Sequence, residues 1–345
     1  MAKGKKRRIL LCSHAFSPSI GGIETVSAIF GEQFVALGHE VKLVTDTDGV
    51  DGIPWCFEVV RRPSPARLLA LVRWCDVVLQ NNVSLRSLWA ALLLRRPIVI
   101  AHQTWIVRLS GKLGWQDRLK RALLPLCENV AISAAIAEDV GVEAAVIGNP
   151  YRDELFHRTS NAVREKEIIF LGRLVVEKGL DVLLGALREL RIRGLRPRLT
   201  VVGRGPEELL LRRLASDFEI SPQVDFVGSK TGVELVELLN AHQILAVPSR
   251  WAEPFGIVAL EGVASGCIVV GSEQGGLKEA IGPCGLTFPN GNIRALADAL
   301  GRLLADSSMR AQLRSEADRH LERFAGRQVA LRYIEVFERA IARKK

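Results

Sequence analysis

Two glutamates and two cations are the residues of this chain best suited to chemistry. Glu253 and Glu261 stand in Pro248-Ser249-Arg250-Trp251-Ala252-Glu253-Pro254-Phe255-Gly256-Ile257-Val258-Ala259-Leu260-Glu261-Gly262. Arg173 and Lys178 stand in Gly172-Arg173-Leu174-Val175-Val176-Glu177-Lys178-Gly179. The first stretch follows the apolar run 244–247, which reads as a buried parallel strand. Pro254 suits a first helical turn, and Ile257, Val258 and Leu260 are apolar enough to pack that helix on a sheet. A helix start offers unpaired N–H groups and a partial positive charge, which suit a phosphate. Two acids beside an anion site call for partners of their own. Sugar hydroxyls and a ribose would supply them, because an ionised carboxylate only accepts hydrogen bonds. These residue types together point to a nucleotide-sugar site.

Spacing narrows that reading. If both glutamates were helical they would stand about 12 Å apart along the axis and face directions roughly 80° apart. That excludes a close carboxylate pair of the glycosidase kind. One acid at each end of an extended ligand fits better. For Glu261 the plain alternative is a solvated helix position, although Leu260, Gly262, Ala264 and Gly266 surround it. Arg173 and Lys178, placed beyond a strand, can converge on a diphosphate, the one as a fork and the other as a point charge. A merely solvated loop would carry the same two cations. Gly21-Gly22-Ile23-Glu24 would let backbone approach a phosphate or sugar. An ordinary tight turn has the same spelling, and the G-x-G-x-x-G spacing is absent. Gly275-Gly276-Leu277-Lys278-Glu279 is a further glycine-rich turn. His102 ends the apolar run 98–101 and is placed for a polar contact to substrate, as His14 is with less support.

These residues sit at the ends of strands in an alternating pattern. Apolar runs at 9–12, 41–45, 77–80, 98–101 and 130–132 alternate with helical stretches, including 26–37 and 85–94. Residues 46–65 read as loop with one edge strand. After a polar linker, 151–166, a second series follows: strands 168–171, 199–202, 224–227, 244–247 and 268–270, with helices 180–190 and 207–215 and a helical tail from 293. Strand, loop, helix, strand repeated in this way gives parallel sheets. The expected architecture is α/β: two Rossmann-like domains, 1–155 and 156–326, facing each other across a cleft, with a helix 327–345 that packs back on the first. Ligands would lie beyond the carboxyl ends of the strands.

A chain of 345 residues with 48% hydrophobic and 25% charged residues is that of a soluble globular protein. The formal charge of +9 is spread over both halves, which suits a small anion or a membrane surface as well as it suits nucleic acid. With two tyrosines and no zinc spacing, nucleic acid is not expected as a partner. Six scattered cysteines without a C-x-x-C pair suggest buried thiols in a reducing cytosol. No run reaches the roughly 18 apolar residues that span a bilayer, and the apolar run behind the basic start is too short for a signal peptide. The basic, amphipathic stretch 105–127 and the basic residues 3–8 fit an anionic membrane surface, or a helix packed on its own sheet with a solvated face.

Together these residues resemble the retaining glycosyltransferases of family 4, which have the GT-B fold. The resemblance covers nearly the whole chain and is strongest over 168–300. Glu253 and Glu261 match the family's paired glutamates with seven residues between, and Arg173 and Lys178 match its phosphate-binding pair. Gly21-Gly22 matches its N-terminal glycine loop, and Gly203-Arg204-Gly205-Pro206 its loop after the next strand. The resemblance implies a UDP- or GDP-sugar donor held mainly by the C-terminal domain, and no cofactor. Glu261 would bind the ribose and Glu253 the sugar hydroxyls. Arg173, Lys178 and the amides of Gly256, Ile257 and Val258 would hold the pyrophosphate, and His102 would touch the donor sugar. No metal is expected: fixed cations and amides would stabilise the leaving diphosphate. Asp46-Thr47-Asp48 spells a metal motif but follows the second strand of the first unit. Lys278 stands where many members have proline, and the short N-terminal unit departs from the pattern that shapes an acceptor site. An epimerase of the same fold and a non-catalytic nucleotide-sugar-binding partner are the alternatives.

Overall fold

The computed structural model describes residues 5–19, 21–49, 52–106, 114–159 and 164–344. The chain divides into two compact units, Met1–Tyr151 with Ala325–Lys345, and Arg152–Phe324.

The first unit runs β1 (Arg8–Ser13), α1 (Gly22–Ala36), β2 (Glu40–Thr45), β3 (Glu58–Arg61), α2 (Pro65–Trp74), β4 (Val77–Asn81), α3 (Leu85–Leu93), β5 (Ile98–His102), α4 (Trp115–Leu123), β6 (Glu128–Ala131), α5 (Ala134–Val140) and β7 (Ala145–Val146). All seven strands lie in one sheet, ordered β3-β2-β1-β4-β5-β6-β7, and every pairing is parallel. Strands covered on both faces need unbroken apolar runs, and β1, β4 and β5 have them: Ile9, Leu10, Leu11, Val77 to Leu79 and Ile98 to Ala101 are buried. β3 is the edge strand expected within 46–65 and is only half-buried. Helix α2, which follows it without a helical signature in the sequence reading, begins where Ser64 accepts from the Arg67 N–H and Pro65 takes the first position.

The second unit runs β8 (Lys166–Leu171), α6 (Leu180–Ile192), β9 (Leu199–Val202), α7 (Glu208–Asp217), β10 (Val224–Gly228), α8 (Gly232–Ala241), β11 (His242–Val247), α9 (Ile257–Ala264), β12 (Ile268–Ser272), α10 (Leu277–Ile281), β13 (Gly285–Phe288), α11 (Ile293–Ala305), α12 (Ser307–Ser315) and α13 (Ala317–Glu322). Its six-stranded parallel sheet is ordered β10-β9-β8-β11-β12-β13. Its core is aliphatic, built from α6, α11 and the strands between, with Phe170 and Phe288 as its largest buried rings.

The helical tail is not continuous. Asp306 ends α11 and caps α12 through its side chain, and the last helix, α14 (Gly326–Arg343), belongs to the first unit. There Tyr333 packs on Phe30 with ring centroids 4.6 Å apart, and Phe337 packs on Phe34 at 5.3 Å. The Arg7 guanidinium pairs with Glu338. Tyr151 and Ala325, where the chain leaves and re-enters this unit, form a parallel bridge. Five of the six cysteines are buried and all are unpaired; Cys56 is exposed.

Candidate functional site

Each sheet has one point where the strand order reverses direction, and in such folds ligand crevices open there. In the second unit it lies between β8 and β11. The loop after β8 carries Arg173 and Lys178, and the loop after β11 carries Glu253. The fold therefore brings together side chains 75 residues apart: Lys178 Nζ donates to Glu253 Oε1 at 2.6 Å.

Backbone contacts hold the two loops together. The Arg250 N–H donates to the Glu177 carbonyl at 2.9 Å. Gly179, at φ 67°, lies so close to the Pro248 carbonyl that a Cβ would stand 2.0 Å from its oxygen. No side chain fits there, and φ itself favours glycine. The Arg250 guanidinium pairs with Asp181 at the start of α6. A third loop, after β12, joins through the Gly276 N–H, which donates to the Glu253 carbonyl at 2.8 Å. A Cβ on Gly275 would stand 2.2 Å from that same oxygen. A fourth, after β9, joins where the Leu174 N–H meets the Arg204 carbonyl. Loops from the carboxyl ends of four strands thus form one platform.

On it, Glu253 is 7% exposed. It lies ahead of the helix and not in it, so the helical spacing drawn between the two glutamates does not apply. Pro254 likewise precedes the first turn. Helix α9 starts only at Ile257, because Gly256 at φ 106° turns the chain into it. No side chain caps that start, and Gly256, Ile257 and Val258 are half-buried, leaving first-turn amides for an anion. Glu261 is half-buried on α9, not solvated. Dense protein around its carboxyl pushes its pKa up to about 7, with the Arg152 charge pulling the other way. Arg173 is exposed, and its guanidinium makes no ion pair among the described residues. Lys278 is exposed in the first turn of α10.

The first unit reverses between β1 and β4. The two strands there are bridged by neutral groups: Asn81 Nδ2 donates to Ser27 Oγ at 2.6 Å, Ser27 to Ser13 Oγ at 2.8 Å, and Ser13 to the Ala15 carbonyl at 2.7 Å. Asn81 also donates to the Ile23 carbonyl, which fixes the start of α1. Gly21 is extended and precedes that start; Gly22 is its first residue. Beside them a cavity of about 360 Å³ is lined by Ser13, His14, Thr45, Asp46, Arg62 and Arg86, among others. Asp46 pairs with Arg86 and Asp48 with Arg62. His102, at the end of β5, is fully buried, with Nε2 3.0 Å from Asn129 Oδ1. Burial pulls its imidazole below the ordinary value, and the Asn129 contact offsets part of this.

Three participants carry no motif signal: Ser249, Ser272 and Asn290. Serine hydroxyls and an asparagine amide are common in loops, and only the fold places them around Glu253. The basic stretch 105–127 contains α4, which exposes Trp115 and Leu119 and buries only Asp117. Residues 107–113 of it, and residues 3 and 4 of the basic start, lie outside the described residues. No described helix is long and apolar enough to cross a membrane.

The family model described as Glycosyl transferases group 1 matches residues 152–320. The glycogen synthase of Mycobacterium tuberculosis (strain ATCC 25618 / H37Rv) is 36% identical over 309 residues, 83% of this chain and 69% of that protein. The D-inositol 3-phosphate glycosyltransferase of Corynebacterium jeikeium is 40% identical over 171 residues, 47% of this chain. The match spans 41% of that relative's own length. Among solved structures, Anabaena Alr3699/HepE in complex with UDP and glucose superposes with a TM-score of 0.79 at 19% identity, over 96% of this chain and 100% of that one. Sucrose-phosphate synthase from Thermosynechococcus elongatus does so at 0.80 and 21%, over 98% and 100%. These likenesses speak for the fold; the sequence match across both units settles kinship, and the chain belongs to the glycosyl transferases group 1, with the GT-B fold.

Proposed function

We propose that this chain is a retaining glycosyltransferase that moves a sugar from a nucleotide-diphosphate sugar to a saccharide or lipid-linked acceptor, in the making of a cell-surface glycan or glycolipid. The observation that supports it best is the Lys178–Glu253 contact at the second unit's reversal point. It sets a cation for a leaving diphosphate beside an acceptor for sugar hydroxyls. In this reading Arg173, Lys178 and the amides of Gly256, Ile257 and Val258 stabilise the charge that grows on the diphosphate. They need no metal ion to do so. Glu261 accepts from the ribose, Glu253 and His102 meet the sugar, and Gly21 and Gly22 leave room for it. The bond from the anomeric carbon to the diphosphate breaks while the acceptor oxygen bonds to the same face. The acceptor's proton passes to the departing diphosphate oxygen, so configuration is retained.

UDP-glucose is the first donor to try, because Anabaena Alr3699/HepE is solved with it. A screen of UDP, GDP and their sugars should raise the melting temperature for one base, since a specific ligand stabilises by mass action. The preferred donor should then yield an acceptor-dependent product of unchanged anomeric configuration. No stabilisation by any nucleotide overturns the reading. An inverted product overturns retention, a product formed without acceptor indicates an epimerase, and binding without transfer indicates a non-catalytic partner. Peripheral contact with an anionic membrane on its cytoplasmic side belongs to the same proposal, supported by exposed Trp115 and Leu119 beside exposed Arg118. Failure to co-sediment with anionic vesicles at low salt removes that part.

A further inference from the structure

Glu253 is held in an unequal way. Both hydrogen bonds that its carboxylate accepts fall on one oxygen: Lys178 Nζ and Ser249 Oγ each lie 2.6 Å from Oε1. Among the described residues nothing donates to Oε2. Two donors on one oxygen fix the plane and direction of the carboxylate and leave the other oxygen for a ligand.

The two donors differ in permanence. Lys178 is partly exposed, and its ammonium is a mobile point charge that a diphosphate would compete for. Ser249 is fully buried and held from behind. Its carbonyl accepts from Ser272 Oγ at 2.7 Å and from Asn290 Nδ2 at 3.1 Å. Asn290 also reaches the Trp251 carbonyl, and its own Oδ1 accepts from the Gln274 N–H at 3.1 Å. The Ser249 backbone is therefore pinned by groups from the ends of β12 and β13, so its hydroxyl can stay on Glu253 when Lys178 turns to a ligand.

We propose that Ser249 is a positioning residue: it keeps Glu253 Oε1 occupied so that Oε2 faces the hydroxyl of the transferred sugar, with Ser272 and Asn290 fixing Ser249. The inference rests on the glycosyltransferase reading above and adds a residue to it. Ser249 acts through Glu253 and touches no substrate.

The test is a double-mutant cycle of Ser249→Ala and Glu253→Gln, assayed with UDP or GDP, whichever binds, and with the nucleotide sugar that the wild type turns over. Ser249→Ala should leave affinity for the nucleoside diphosphate, which has no sugar, within about twofold, and lower kcat about 10- to 100-fold, since small misplacement costs that much. On the Glu253→Gln background the same change should cost less than about twofold, because its effect passes through the carboxylate. Ser249→Cys, which keeps the volume and donates weakly, should behave as Ser249→Ala does. A wild-type rate in Ser249→Ala, or additive losses in the cycle, overturns the inference and leaves the broader reading intact. Loss of nucleotide binding in both Ser249 variants also overturns it, by showing that the residue only supports the fold. A wild type that turns over no nucleotide sugar fells the broader reading, and this inference with it.

Discussion

The two reversal points of this molecule have the same topology and are bridged by side chains of different kinds. In the first unit, β1 and β4 are bridged by an uncharged chain, Asn81 to Ser27 to Ser13, that ends on a backbone carbonyl. In the second, β8 and β11 are bridged by an ammonium and a carboxylate, Lys178 and Glu253, on a platform of interlocked loops. The parallel sheet supplies a crevice in both cases; side chains decide what each is for. A neutral, hydrogen-bonded chain fixes a helix start. A largely buried acid facing a partly exposed cation keeps charge near the surface at a cost, and such an arrangement is expected where a charged ligand repays it.

That contrast can be broken or sharpened by measurement. The largest expected effect is on turnover: Lys178→Ala should lower kcat about 10²- to 10³-fold, as loss of a preorganised charge at a leaving group does. A rate near normal would make the pair structural and erase the difference between the crevices. Next comes stability. Gly179→Ala must adopt φ 67° and drive a methyl into the Pro248 carbonyl, so it should destabilise the second unit by roughly 2–4 kcal/mol in denaturant unfolding. An unchanged midpoint would mean that the loops are not locked together.

Third is the pH dependence of donor affinity. Glu261 has its pKa raised to about 7 by burial. Below that value it is protonated, and above it the carboxylate accepts charge-assisted bonds. Affinity for a nucleotide sugar, whose diphosphate does not titrate in this range, should therefore rise between pH 6 and 8 by up to about tenfold. Glu261→Gln should flatten the curve, and a slope that survives in that variant assigns it to another group. The smallest effect belongs to the neutral chain. Asn81→Ala should cost about 1–2 kcal/mol of stability and leave affinity for the nucleoside diphosphate unchanged. A large loss of nucleotide affinity would show that the Asn81 chain does more than fix the start of α1.

Much of this was legible in the sequence because buried parallel strands are nearly pure apolar runs. The run at 199–202 coincides with β9, and 9–12, 77–80 and 98–101 each lie within a strand one or two residues longer. Strands without that signature escaped. β13 is Gly285-Leu286-Thr287-Phe288, and its one fully covered residue is Phe288. The tail from 293 reads as helical with a separate last helix from 327, but the break inside it is not legible: Asp306 caps a new helix with its own side chain. Within the site, residue types and spacing identified Glu253, Glu261, Arg173 and Lys178 as candidates. Which of them touch was not legible. Lys178 meets Glu253 only because β8 and β11 are neighbours, and Ser249 shares the same oxygen only because a left-handed Gly256 holds the glutamate out of the helix.

The last helix carries a consequence for how the polypeptide is made. Phe30 and Phe34 leave the ribosome before the second unit is made, but the rings that cover them, Tyr333 and Phe337, emerge only after it. Residues 152–324 can close on themselves before then, since that unit holds all its own strands. The half synthesised first is thus the half completed last, and any chain cut short before residue 333 leaves two aromatic rings of α1 without their cover.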